Sequence, residues 1–202
     1  MINKHKVFIS FHHENDEKYK NELLGLNEIY DLFDDYSVRD GKIDDNQSAE
    51  QIRRKIRDDF IRKAKVLILL CGSETKKRKH VDWEINAAMF NTDQNRRLGI
   101  VIINLPTAMG NAQRASNDEE KKIISDDNNW VSLKTRYDYE QYHPYMPSRI
   151  IDNFVKDKEI PVINWSRVKQ DPNRLKKLVD NAFKRRKLIS YDHSALLRKN
   201  NS

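Results

Sequence analysis

A single cysteine among 202 residues, Cys71, excludes an internal disulfide and any cysteine-based metal cluster. It closes an apolar run and reads as a buried core thiol. No run approaches the roughly 20 apolar residues that span a bilayer. The longest, Val66 to Cys71, is far too short. The apolar stretch of MINKHKVFISFHHEND is likewise too brief for a secretion signal, so a cytoplasmic protein without membrane contact is expected. Glycine is scarce and dispersed, five in all. Neither a GxxxxGK[ST] loop nor a GxGxxG after a strand occurs, which removes P-loop phosphoryl transfer and Rossmann dinucleotide binding. A GxSxG elbow for serine hydrolysis is missing too. The histidines His12, His13, His80 and His143 fall in no metal-ligand spacing, and no metal is expected.

Charge, by contrast, is abundant. Charged residues make up 34% of the chain and the formal net charge is +7, which favours acidic partners in general. Much of the excess lies in Arg174, Lys176, Lys177, Lys184, Arg185, Arg186, Lys187, Arg198 and Lys199. These read as the solvated face of a terminal helix followed, over 189–202, by a flexible basic tail. Hydrophobic residues are 38% and come in bounded blocks, as in a folded chain. One domain over 1–202 is expected, with a polar and aromatic insertion at 105–145.

The blocks alternate in kind. Lys6 to Phe11 (KVFISF), Lys65 to Cys71 (KVLILLC), Leu98 to Asn104 (LGIVIIN) and Ile160 to Trp165 (IPVINW) are short and apolar, as buried parallel strands are. A poorer edge strand is expected near Asp31 to Val38. Between them, Tyr19, Leu23, Leu26 and Tyr30 make one helical stripe; Ala49, Ile52, Ile56 and Phe60 make a second; Val81, Ile85, Ala88 and Met89 make a third. Ser48 with Gln51 resembles a capping box at the start of the second. Leu175, Leu178, Val179, Ala182 and Phe183 mark the last helix. Such alternation implies right-handed βαβ units and an α/β fold: a flavodoxin-like parallel sheet, order 2-1-3-4-5, with helices on both faces. Ligands bind such sheets beyond the carboxyl ends of the strands where the order reverses. That places Ser10 to His13 opposite Gly72 to Glu84. Glu84 stands about 60° from the centre of its helix's apolar stripe, beside it without belonging to it. In the first or second turn of that helix, the dipole favours an ionised carboxylate.

VFISFHHEND resembles the opening motif of TIR domains, an apolar strand running into Ser-aromatic and a polar loop. KVLILLCGSETKKRKHVDWEI resembles the TIR stretch in which a strand and short loop precede the motif glutamate. The IPVINW strand and the long insertion look most like bacterial antiphage TIR proteins of the Thoeris type (ThsB-like). This resemblance implies cleavage of NAD+, as substrate and not as cofactor, between nicotinamide and ribose. The ADP-ribose product is often cyclised into a signal read by a separate effector. The catalytic glutamate falls on Glu84, and the substrate-binding positions on Ser10, Phe11, His12, His13, Arg39, His80 and Trp83. Where many catalytic members carry tryptophan four residues before the glutamate, this chain has His80, with Trp83 next to Glu84. Two other readings are a self-associating, non-catalytic TIR adaptor using the Arg39 to Gln47 loop, and a nucleic-acid binder using the basic C-terminal helix. The last lacks interleaved aromatics and any known module.

Overall fold

A computed structural model of the chain describes residues 4–37, 48–92, 96–108, 112–126 and 130–201, the side chains of Ala49 and Arg53 excepted. Five parallel strands form one sheet: β1 (Lys6–Ser10), β2 (Asp34–Asp35), β3 (Val66–Cys71), β4 (Gly99–Asn104) and β5 (Val162–Asn164). Their order is β2-β1-β3-β4-β5, as the sequence pattern predicts. β3 and β4 are buried at every position. An all-apolar strand has two faces to cover, and the helices supply both covers.

One layer joins Phe8, Leu67, Leu69, Ile100 and Ile102 to α2 (Ala49–Lys55), α3 (Lys79–Met89) and α6 (Ser148–Val155). The opposite layer joins Val7, Ile9, Ile68, Leu70, Val101 and Ile103 to α1 (His13–Tyr30), α7 (Trp165–Gln170) and α8 (Pro172–Arg185). Strand residues alternate between the two layers with period two. The capping box at α2 is formed: Gln51 Oε1 accepts from the Ser48 amide at 2.9 Å, and Ser48 Oγ from the Gln51 amide at 3.3 Å. After α2 the coil widens over Ile56–Phe60 and tightens over Ile61–Lys63, so that Ile56, Phe60 and Ile61 are all buried. Gly99 lets α8 lie directly on β4, since a Cβ there would come within 2.3 Å of the Ala182 carbonyl oxygen.

Within the segment at 105–145, Arg114 is built into the sheet's edge. Arg114 forms an antiparallel bridge with Val162, exchanging backbone hydrogen bonds of 3.1 and 2.8 Å. Its guanidinium lies 4.6 Å over the Phe154 ring and donates to the Ile160 carbonyl at 2.9 Å. The edge of β5 is thereby paired and protected. α4 (Asp118–Ile124) and α5 (Arg136–Tyr142) follow, sending Ile124 and Tyr139 into opposite core layers.

Residues 189–201 are not the flexible tail expected from their charge. Ile189 and Tyr191 are buried, and Asn153 pins Asp192 through both its side-chain amide and its carbonyl oxygen. Beyond them Arg149 donates to the Ala195 and Leu196 carbonyls, at 3.1 and 3.2 Å, and grips Asp82 in a two-pronged ion pair of 2.9 and 3.2 Å. Asp82 also accepts from the Arg198 amide at 2.9 Å. Buried polar partners outweigh the coil preference of a basic tail, because each would otherwise be orphaned. The α8 cations are similarly engaged: Arg174 with Asp126, Lys184 with Asp180, and Arg185 with Glu159. Among the described residues no helix is long and apolar enough to cross a membrane. Replacing Arg149 by Ala strands the buried Asp82 carboxylate, and is expected to destabilise the fold by about 3–5 kcal/mol in urea titration. Trypsin should then cut the native protein near Arg198 sooner; an unchanged midpoint and cleavage rate would contradict the clamp.

Candidate active site

The reversal of strand order lies between β1 and β3, and the site is assembled at their carboxyl ends. Register sets Ser10 opposite Leu69. Alternation turns Ser10 towards the layer that contains Phe8 and α3, and Phe11 towards the other. Glu84, the sixth residue of α3, reaches back to this point and accepts a hydrogen bond from Ser10 Oγ at 2.5 Å. Both side chains are buried.

Glu84 is the most perturbed carboxylate of the crevice. Desolvation pushes its pKa up to about 8, and the Ser10 hydroxyl only partly opposes this. Burial thus outweighs the helix dipole that favours an ionised carboxylate, because a charge loses more by leaving water than a partial charge a turn away restores. A second buried acid stands across the sheet. Asp16 of α1 packs so closely on Gly72 that a Cβ there would meet its carboxylate at 2.4 Å. Its Oδ2 lies 3.5 Å from the Thr75 hydroxyl, which accepts from the Gly72 amide at 2.8 Å. Burial raises its pKa to about 6. Asp16 was not singled out in the sequence, although the signal is there: it sits three residues before Tyr19, on the buried stripe of α1.

The other positions divide. His12 is buried at the start of α1, its Nδ1 without a hydrogen-bond partner among the described residues and its Nε2 3.7 Å from Glu14. Desolvation, with the Arg78 charge second, lowers its pKa. His13 is exposed, its ring 4.2 Å from Phe11, which is buried in the α1 layer. His80 and Trp83 pair with ring centres 5.1 Å apart, and Trp83 Nε1 donates to the Arg198 carbonyl at 2.9 Å. That pair faces the C-terminal segment, whereas Ser10 and Glu84 face each other. Arg39 and its loop lie outside the described residues. Arg78, directly before α3, is the cation that the motif reading overlooked. Its Nη2 is 3.7 Å from Glu14, its buried Nε has no partner among the described residues, and its charge is felt at His12. Among the described residues no group of His, Cys, Asp and Glu is placed to hold a metal ion.

A carboxylate with a raised folded pKa contributes stability that is fully present below its unfolded value and is lost as pH rises through the folded one. For Glu84 that window runs from 4.5 to about 8. Glu84→Gln, which cannot ionise, is therefore expected to gain stability over wild type across this window, on the order of a few kcal/mol at its top. Urea midpoints at pH 5 and pH 8 check this; a difference that does not grow with pH would refute the buried acid.

A family model described as Thoeris protein ThsB, TIR-like domain, matches residues 8–109, a span that holds Ser10, Asp16, Arg78 and Glu84. No curated protein is similar enough to match. Among solved structures, the chain is similar to the TIR domains in a structure described as the activated Roq1 resistosome directly recognizing the pathogen effector XopQ. Identity is 10%, with 90% of this chain and 84% of that chain covered at a TM-score of 0.36.

Proposed function

Because the chain belongs to the ThsB TIR-like domain family, we propose that it is a bacterial defence enzyme that cleaves NAD+ between nicotinamide and ribose. Its product is an ADP-ribose derivative, cyclised and read by a separate effector. The observation that carries this reading is the buried Ser10–Glu84 hydrogen bond at the switch point of the sheet.

The chemistry needs an anion where positive charge develops. Loss of nicotinamide leaves an oxocarbenium-like ribose, and a fixed carboxylate beside it stabilises the transition state more than the ground state. Glu84 in this crevice holds its proton up to about pH 8. NAD+ arrives with a cationic nicotinamide ring, and an adjacent positive charge favours the ionised carboxylate. The substrate thus helps to charge its own catalyst. Ser10 holds the carboxylate in one rotamer, and its hydroxyl lowers the pKa that burial has raised. His12, just after β1, and Arg78, just before α3, suit the diphosphate.

Incubation with NAD+ is expected to release nicotinamide, and Glu84→Gln to lower the rate by about 100-fold or more. For wild type, kcat/KM should climb with pH towards about 8 as the free enzyme's Glu84 carboxylate ionises. Ser10→Ala should move that climb to higher pH. Equal turnover by wild type and Glu84→Gln would refute the assignment. Self-association without turnover under any condition would favour the non-catalytic adaptor.

A further inference from the structure

A groove of about 470 Å³ is lined by neither Ser10 nor Glu84. One wall is the turn at Thr75–Lys77 after β3, another is the junction of α5 and α6, and Arg198 closes an end. Its volume suits a nucleotide-sized molecule. Its charge is unbalanced. Lys77 is matched by Glu74 at 3.0 Å, and the groove's one carboxylate, Glu140, is already held by Arg136 at 2.7 Å. Among the described residues Lys76 pairs with no carboxylate; its ammonium donates to the Pro144 carbonyl at 2.7 Å, keeping two protons for other acceptors. α6 opens into the groove at Ser148, and no side chain caps its first turn. Uncapped helix amides beside an unmatched lysine attract anions.

The groove's inner wall supplies an independent observation. His143 is 4% exposed, and neither ring nitrogen has a hydrogen-bond partner among the described residues. Burial lowers its pKa to about 4, so at neutral pH the ring carries one donor and one acceptor. Behind it lies a cavity of about 10 Å³, room for about one water, and the His143 ring lines both this cavity and the groove. A buried polar atom left bare is costly, and a ligand hydroxyl beside it removes the cost.

We propose that this groove binds a phosphorylated, nucleotide-sized small molecule, its phosphate on Lys76, Arg198 and the first turn of α6, its sugar hydroxyls against His143. The site is separate from the Glu84 crevice and stands whether or not that crevice cleaves NAD+.

Adenosine 5′-monophosphate titrated into the nitrogen-15-labelled protein at low salt tests this. The Lys76 and Ser148 amides and the His143 ring nitrogens are expected to shift together and saturate, and added salt should weaken the binding. Lys76→Glu, at an exposed position, should cost about tenfold or more in affinity. His143→Phe should bind less tightly while staying folded, whereas Glu84→Gln should bind as wild type does. Adenosine without phosphate should not saturate the site. The proposal is overturned by shifts that do not saturate, by equal affinity in Lys76→Glu, by adenosine binding as tightly, or by shifts confined to Ser10 and Glu84.

Discussion

Desolvation of Glu84 is the constraint around which the rest of this domain is arranged. A carboxylate removed from water keeps its proton unless something nearby favours the anion, and here the Ser10 hydroxyl does so only in part. That hydrogen bond depends on the parallel register of β1 on β3, which holds Ser10 at the strand's end, and on the angle at which α3 crosses the sheet. A slip of one residue in β1 would turn Phe11 towards Glu84 and Ser10 into the opposite core.

The helix that carries Glu84 is correspondingly well anchored. Asp82, two residues earlier, is clamped by Arg149 from α6 and by the Arg198 amide, and Trp83 donates to the Arg198 carbonyl. The same stretch of α3 is thus fastened on its outer side to α6 and the C-terminal segment, and on its inner side to β1. For the proposed cleavage, fixing Glu84 in this way avoids reorganisation as charge develops, and a rigid helix does this better than a loop. Across the sheet, Asp16 against Gly72 ties α1 to the loop that leads into α3. Two acids are therefore buried at one switch point, one in each layer, with their proton affinities displaced upwards to different extents.

Much of this was readable along the chain because burial of a parallel strand on both faces demands unbroken apolar residues. KVLILLC and LGIVIIN satisfy that demand, and the strand order followed from their alternation with helical stripes. The Ser48–Gln51 cap was readable because its partners are three residues apart. Contacts over long separations were not. Arg149 and Asp82, or Asn153 and Asp192, leave no mark on local periodicity, so a basic C-terminal stretch looked loose when it is bound. Arg114 looked like part of a polar insertion, yet it lies buried against Phe154 and closes the sheet.

By itself the sequence determined the α/β class, the parallel sheet and the pairing of the Ser10 and Glu84 segments, since hydrophobic period and topological handedness are local or near-local properties. Only the tertiary structure decided that Glu84 is a buried acid and not a surface anion, that Trp83 meets the C-terminal segment while Glu84 meets Ser10, and that Arg78 lies near His12. Those outcomes depend on which groups lose water together. The loss of water belongs to the packed molecule, where residues far apart in the chain share one low-dielectric space.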